Sequence, residues 1–231
     1  IMHKAPGPIM AVSPTVEMAK RNSRQRIDPL IEDCSALKGL VSSPRSRDKG
    51  NTMLSKDFMG GVLVMTGANS AVGLRSMPAR YLFMDEIDGY PQDIDGEGDP
   101  ILLAERRTAT FSKRKKIFLV STPTIKGLSN IEREFENSDK RYYFVPCPYC
   151  VGFQKLEWAQ IRAEDGNVQY ECVHCGKLIG EHYKTQMLAN GHWQATAPSD
   201  GLTAGYHLSS LYSPVAVSYT HLRAHETTLH L

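Results

Sequence analysis

The chain has 231 residues, of which 41% are hydrophobic and 23% are charged, and its formal net charge is +2. These proportions are typical of globular proteins and exclude a wholly disordered chain. No apolar run approaches the ~20 residues of a membrane-spanning helix, so we expect no membrane partner. The small net charge does not by itself indicate a nucleic-acid partner, so basic residues must be judged by position.

Short apolar runs bounded by turn residues predict a sheet. Each run holds four residues, as expected of strands buried on both faces of a parallel sheet. The runs are residues 9–12, 62–65, 81–84 and 117–120. Helical texture extends over residues 16–31, and Asp99 followed by Pro100 predicts the first turn of another helix. Strands that alternate with helices predict an open α/β fold.

The third apolar run ends in Asp85 and Glu86. Additional-strand P-loop ATPases present an Asp-Glu pair, the Walker B motif, at the carboxyl end of the sheet, where ligands of open α/β folds bind. Asp85 would hold the water shell of Mg²⁺ bound to ATP, and Glu86 would polarise the attacking water as a general base. The alternative is a pair of exposed acids that only cap a strand end.

The fourth run ends in Ser121, Thr122 and Pro123. A hydroxyl here, from Thr122 or Ser121, would contact the γ-phosphate or the catalytic glutamate and report hydrolysis. The alternative is a plain turn, because all three residue types favour turns. Residues 113–116, just before this run, are all basic. For them a solvated loop that protects the strand from aggregation is favoured over a DNA contact.

No G-x-x-x-x-G-K-[ST] phosphate-binding motif occurs in the sequence. The chain also opens with Ile1 before Met2, which does not look like a natural start. We therefore expect a piece of a longer protein, whose phosphate-binding loop precedes residue 1.

Four of the five cysteines form two Cys-x-x-Cys pairs separated by 21 residues: Cys147 with Cys150, and Cys172 with Cys175. Two pairs at this separation predict a zinc ribbon, in which four thiolates complete a tetrahedral shell around Zn²⁺ and the metal is structural. A redox site would use only one such pair. His174 would compete as a ligand only if the shell were incomplete.

These landmarks together resemble the lambda-like (GpA-type) phage terminase large subunits, in the same order and over about residues 6–214. The matching segments are Gly7-Pro8-Ile9-Met10 through Pro14-Thr15, Gly67-Ala68-Asn69-Ser70, Leu74-Arg75-Ser76, Ala79-Arg80-Tyr81, Asp85-Glu86-Ile87-Asp88, Ser121-Thr122-Pro123 and the two cysteine pairs.

The resemblance implies a three-layer α/β/α, RecA-like P-loop ATPase domain that lacks its first strand and Walker A loop. It also implies an RNase H-like nuclease domain downstream, so no nuclease carboxylate is assigned in this chain. Such proteins use ATP to package viral double-stranded DNA into a procapsid in the host cytoplasm, and they cut the DNA concatemer. The implied partners are the terminase small subunit, the portal and further copies in a ring.

Within this resemblance, Asp85 is the Mg²⁺ acid, Glu86 the hydrolytic base and Thr122 the coupling residue. Arg75 is a candidate for an arginine supplied to the nucleotide of a neighbouring subunit, because its loop precedes the Walker B strand. The alternative is an ordinary surface arginine.

The expected organisation is a partial ATPase domain over residues 1–145, a zinc ribbon over 146–180 and a linker or the start of a further region over 181–216. Residues 217–231 look like the translation of a sequencing adapter and are left out of the fold reasoning. Their His221 and His225 have helical spacing but are not assigned to a metal. Two other functions stay open: a helicase-like ATPase, and a zinc-dependent DNA-binding module without catalysis.

Overall fold

A computed structural model describes residues 1–41, 50–164, 167–198 and 201–213. The adapter-like tail and its two histidines therefore lie outside the described residues. The chain divides into two compact units, residues 1–132 and 133–231. Among the described residues, no helix is both long and apolar enough to cross a membrane.

The first unit contains a five-stranded sheet with helices on either side. Its strands are β1 (Ile9–Ser13), β2 (Ser55–Phe58), β3 (Gly61–Gly67), β4 (Tyr81–Asp85) and β5 (Lys116–Val120). Its helices are α1 (Val16–Asn22), α2 (Asp28–Asp33), α3 (Ala71–Leu74), α4 (Pro100–Arg106) and α5 (Asn130–Glu136), of which α5 continues into the second unit.

The strand order is β2-β3-β1-β4-β5, in which β3, β1, β4 and β5 are parallel and β2 is an antiparallel edge. The predicted mixed α/β fold is therefore confirmed. The register aligns the strand ends, since Tyr81 pairs with Lys116 and Asp85 with Val120. Asp85 and the residues after Val120 consequently meet at the carboxyl edge of the sheet.

Alternation along the strands explains why both faces are covered. Met10 and Val12 of β1 belong to one apolar cluster with Leu82 and Met84 of β4 and residues of α4. The residues between them face the other way and pack in a second cluster that includes Ala19 of α1. Successive strand residues point to opposite faces, so the runs of β1 and β4 each contribute to two cores. Asp99 caps α4 through a 2.8 Å bond from the Ile101 N–H, as predicted.

β5 differs from its prediction. We expected a strand buried on both faces, but the side chains of Phe118 and Val120 are 55% and 41% exposed. Ile117 and Leu119 do pack against the core. The reason is position, because β5 pairs only with β4 in the part of the chain that the structure describes. One face and one edge of β5 are therefore left open.

The helical segment predicted over residues 16–31 is confirmed, but it contains a widened turn. A π-helical stretch, Ser23–Ile27, separates α1 from α2. Pro29 lies just after this stretch. In a regular helix the proline ring would clash with the carbonyl one turn earlier, and the proline nitrogen would leave that carbonyl without a hydrogen bond. A π-turn at this point changes the hydrogen-bond pairing and relieves such a clash.

The second unit is built from short strands around the cysteines. Its strands are β6 (Arg141–Pro146), β7 (Phe153–Lys155), β8 (Ile161–Glu164), β9 (Asn167–Glu171), β10 (Leu178–Ile179), β11 (His192–Ala195) and β12 (Tyr206–His207), and its complete helix is α6 (Lys184–Ala189). One sheet has the order β10-β9-β8, and β6 pairs with β7, β11 and β12 in another.

Residues 181–198 and 201–213, which lie within the segment 181–216 expected to be a linker or the start of a further region, contribute α6, β11 and β12 to this unit. Their side chains also enter its core. Met187, Leu211 and Tyr212 are buried in one cluster with Val145 and Tyr170.

Candidate functional site

The carboxyl end of β4 presents two exposed carboxylates. Asp85 is the last residue of the strand, and both Asp85 and Glu86 are exposed. The backbone of Glu86 is left-handed, with φ 54° and ψ 51°, which is uncommon for a residue with a β-carbon and costs about 1 kcal/mol or more. This conformation ends the strand abruptly and starts a short 3₁₀ turn, Ile87–Gly89.

The loop after β5 is tied to the same edge. The hydroxyl of Ser121 accepts a 3.2 Å hydrogen bond from the backbone N–H of Asp88. Thr122, the predicted coupling residue, lies next to Ser121 and is exposed. The Asp-Glu turn and the Ser-Thr-Pro loop, separated by more than 30 residues in the sequence, are thus neighbours in the structure.

Asp88 is the residue that holds these loops together. Its carboxylate accepts hydrogen bonds from the backbone and hydroxyl of Thr124, at 3.0 and 3.1 Å, and from the Ile131 N–H at 2.9 Å. Partial burial by itself would raise the pKa of Asp88, but bonds from Ser129, Ile131 and Thr124 outweigh it and lower the pKa. The ionised form of Asp88 is therefore the one that the fold prefers.

The loops after β1 and β3 complete the edge. The buried Tyr90 hydroxyl donates to the carbonyl of Val12 at 2.9 Å, and burial together with the charge of Asp85 raises the pKa of Tyr90. Asn69 accepts a bond from the Val16 N–H at 3.1 Å. A side chain at Gly67 would lie 2.2 Å from the Val16 nitrogen, so this close approach requires glycine.

Arg75 lies at the end of α3, and the contact that the structure gives it is an ion pair with Glu97. The loop carrying Glu97 is held by Asp93, whose carboxylate accepts bonds from Gly96 and Gly98 at 2.6 and 2.8 Å. About half of the Arg75 side chain remains exposed. Arg75 therefore forms an ion pair with a surface carboxylate of its own chain.

The four cysteine sulfurs of the second unit lie together. All four atoms are within 4.8 Å of one another, with 3.9 Å from Cys147 to Cys175 and 3.8 Å from Cys150 to Cys172. Ligands held ~2.3 Å from a central zinc in a tetrahedron stand roughly 3.8 Å apart. The cluster therefore has the size and donor chemistry of a tetrahedral metal site.

Backbone N–H groups favour negative charge on two of these sulfurs, although burial outweighs them at Cys147. The Tyr149 N–H points at the Cys147 sulfur, and the His174 N–H points at the Cys172 sulfur, each at a distance of 3.4 Å. Burial raises the pKa of Cys147 to about 12. Burial would also raise that of Cys172, but N–H groups of Cys175 and His174 lower it to about 7. The ring of His174 turns away to the Phe153 carbonyl at 2.8 Å, so it is not a fifth ligand here.

Comparison with known proteins places the chain in a described family. Residues 1–193 match the family described as "Phage terminase large subunit gpA, ATPase domain". The chain belongs to this family. The resemblance proposed from its sequence landmarks is thereby confirmed.

Two terminase large subunits illustrate the relationship. That of Enterobacteria phage P21 is 28% identical over 204 residues, which cover 84% of this chain and 31% of the phage protein. That of Escherichia phage lambda is 29% identical over 177 residues, covering 72% of this chain and 28% of the phage protein. The chain thus spans about a third of the length of these relatives.

In this terminase chain, Asp88 is the site residue that sequence reasoning missed. The sequence did contain a signal for Asp88, since it is the third acid in Asp85-Glu86-Ile87-Asp88. It was not assigned a role because the Walker B pattern needs only the first two acids. The hydrogen bonds that give Asp88 its role come from residues 36 to 43 positions later. No local pattern predicts such partners.

Replacing Asp88 with alanine is expected to lower the free energy of unfolding by about 1–3 kcal/mol, because several donors lose a charged acceptor. The matched control is Asp57→Ala, an exposed carboxylate on β2, with a change of about 0.5 kcal/mol or less. Urea denaturation at neutral pH measures both.

The lowered pKa of Asp88 also sets a pH dependence. Its stabilisation is present above the pKa of the unfolded chain, near 3.8, and is lost as pH falls through the lower folded value. The difference between wild type and Asp88→Ala should therefore shrink in strong acid. Equal stability of Asp88→Ala and Asp57→Ala at neutral pH would contradict this role for Asp88.

Proposed function

We propose that this chain is the ATP-hydrolysing part of a phage DNA-packaging motor. The observation that carries the proposal is the carboxyl edge of the sheet, where Asp85 and Glu86 stand exposed beside the Ser121–Thr122 loop. Ligands of open α/β sheets bind at this edge. Family membership of residues 1–193 supports the same activity.

In the proposed mechanism each residue has one role. Asp85 offers carboxylate oxygens, the donors that Mg²⁺ prefers, and would orient the metal's water shell. Bound Mg²⁺ would neutralise charge on the phosphates of ATP. Glu86 would take the proton of the attacking water, and Thr122, or Ser121 beside it, would sense the γ-phosphate. Asp88 holds the two loops that carry these groups.

The proposal requires a phosphate-binding loop that this sequence does not contain. The open edge of β5 is a suitable place for the strand that would carry it. β5 pairs only with β4 among the described residues, and a further parallel strand on its other side would end at the same edge as Asp85. This arrangement is why we propose the RecA-like form of the P-loop fold.

The test is ATP hydrolysis by a protein that joins this chain to such a loop. Turnover that depends on Mg²⁺ and on Glu86 would support the proposal. A folded protein with the loop in place but without turnover would overturn it.

For the second unit we propose one structural Zn²⁺ held by Cys147, Cys150, Cys172 and Cys175. The sulfur spacing supports this choice, since it matches a tetrahedron of thiolates around zinc. The closed shell leaves no open position for substrate, which favours a structural role over catalysis.

For the longer protein we propose the partners that the resemblance implied. They are double-stranded viral DNA, a terminase small subunit and the portal of the procapsid, met in the host cytoplasm. The endonuclease would belong to a part of that protein outside this sequence.

Arg75 remains our candidate for an arginine that acts across subunits of a ring. Its planar fork suits two phosphate oxygens at once, and its ion pair with Glu97 would have to open first. Arg75→Ala is expected to abolish hydrolysis in assembled rings and to leave nucleotide affinity of the monomer unchanged. Both are measured in a protein that contains the phosphate-binding loop.

Mixing distinguishes action in trans from action in cis. Rings formed from Arg75→Ala and Glu86→Gln subunits contain interfaces at which an intact Glu86 meets an intact Arg75. Activity should partly return in these mixed rings. If mixed rings form and stay inactive, Arg75 does not act across the interface.

A further inference from the structure

Five basic residues gather at the amino end of β4 and β5. Arg80 precedes β4, Lys113, Arg114 and Lys115 form the turn before β5, and Lys116 is its first residue. The residues from Lys113 to Lys116 are exposed, and Arg80 is half-buried. We call these five residues the amino-edge patch.

The backbone of this patch is well fixed. The N–H groups of Arg114 and Lys115 donate to the Phe111 carbonyl at 2.8 and 2.7 Å, which closes the turn. The Lys116 N–H donates to the Arg80 carbonyl at 3.0 Å, which joins the turn to β4. The Arg80 guanidinium also donates to the Arg114 carbonyl at 3.5 Å. The fold therefore fixes the backbone positions of these five residues close together.

The positive charges of the patch are not paired with carboxylates in the part of the chain that the structure describes. Within residues 1–41, 50–164, 167–198 and 201–213, none of its five side chains forms an ion pair with a carboxylate. Like charges placed close together produce a positive local potential, which attracts an anionic partner. The run of basic residues 113–116 alone favoured a solvated loop, but the fold adds Arg80 to this run and leaves all five side chains without a paired carboxylate among the described residues.

The patch is separate from the nucleotide site. The four residue steps from Lys116 to Val120 correspond to roughly 13 Å along the strand. Asp85 and Glu86 stand at the far end, so the patch cannot serve the same phosphates. It also spans a turn and two strand starts, which suits a polyanion with repeated charges better than a single small anion.

We infer that the amino-edge patch binds the phosphate backbone of double-stranded DNA. The inference rests on the proposed function for its choice of nucleic acid. Three of the five patch residues are lysines, and protein–protein interfaces are depleted in lysine and rich in aromatic residues. Arginine and lysine contacts to phosphate, by contrast, supply the sequence-independent part of DNA affinity.

The test measures binding of this chain to a fluorescent duplex of about 30 base pairs over a range of salt concentrations. The triple variant K113A/R114A/K115A removes three charges from an exposed turn whose hydrogen bonds come from the backbone. Its affinity at low salt should fall about 10-fold or more, and the slope of log K against log salt should fall by about 2 to 3.

The matched control is R21A/R24A/R26A, which removes the same charge from exposed positions on α1 and the π-turn. Alanine is favourable in helices, so this variant should fold, and its salt slope should change by less than about 1. Thermal melting verifies that both variants are folded, and K113R/K115R, which keeps the charge, should retain binding.

An unchanged salt slope in folded K113A/R114A/K115A would overturn the inference and leave the patch to an acidic protein or to solvent. Equal losses in both triple variants would also overturn it, since they would show only an effect of net charge. Neither result depends on ATP hydrolysis. Failure of the proposed ATPase activity is therefore distinguishable from failure of the DNA contact.

Discussion

Glu86→Gln is expected to lower ATP hydrolysis about 10²-fold or more in a protein that joins this chain to a phosphate-binding loop. Glutamine preserves the size of the side chain and accepts hydrogen bonds, but it cannot take a proton from the attacking water. The left-handed backbone at position 86 is equally costly for both residues, so the fold should be unaffected. Steady-state phosphate release measures the rate, and ATP binding should persist.

Two further variants make this result specific. Glu32→Gln applies the same chemical change to an exposed residue of α2 and should leave hydrolysis unchanged. Asp85→Ala should instead weaken binding of Mg²⁺-nucleotide, because it removes the proposed oxygen donor. Near-normal turnover in Glu86→Gln would mean that the base lies elsewhere.

Removal of the metal is expected to unfold the cysteine-bearing part of the second unit. Purified protein should contain one zinc per chain, and a chelator should raise hydrogen exchange over residues 146–180. Apparent binding energies of structural zinc are about 10–16 kcal/mol, as large as the whole stability of a typical domain. The strands between and beside the cysteines, β7 to β10, hold only two to five residues each, so we do not expect them to persist without the metal.

Substitution of single cysteines separates the metal from general thiol chemistry. Cys172→Ser removes a buried sulfur proposed as a ligand and should abolish stoichiometric zinc binding. Cys34→Ser changes a cysteine outside the cluster and should leave one zinc per chain. A zinc content near zero in wild-type protein, with all four thiols free, would contradict the site.

The strands that sequence reasoning predicted well are β1, β3 and β4, each of which lies between two other strands of the sheet. β1 and β4 contain apolar runs because side chains on both of their faces enter a core, and the run of β3 places Leu63 and Met65 in one of these cores. β2 was missed. Its Lys56 is buried yet paired with Asp28 at 2.8 Å, and its alternating Ser-Lys-Asp-Phe sequence does not resemble a core strand.

The sequence by itself determined the family, the mixed α/β class and the local parts of both sites. The Asp-Glu turn, the cap of α4 and the Cys-x-x-Cys spacing each depend on residues a few positions apart, so local chemistry suffices to predict them. Only the tertiary structure decided which distant segments meet. Three features join residues far apart in the chain: the pairing of β6 with β11 and β12, the hydrogen bonds of Asp88, and the amino-edge patch. The position of β5 at the edge of its sheet likewise depends on the order of all five strands. Strand pairing uses backbone groups that every residue carries, so its partners are selected by the packing of the whole unit and leave little local signal.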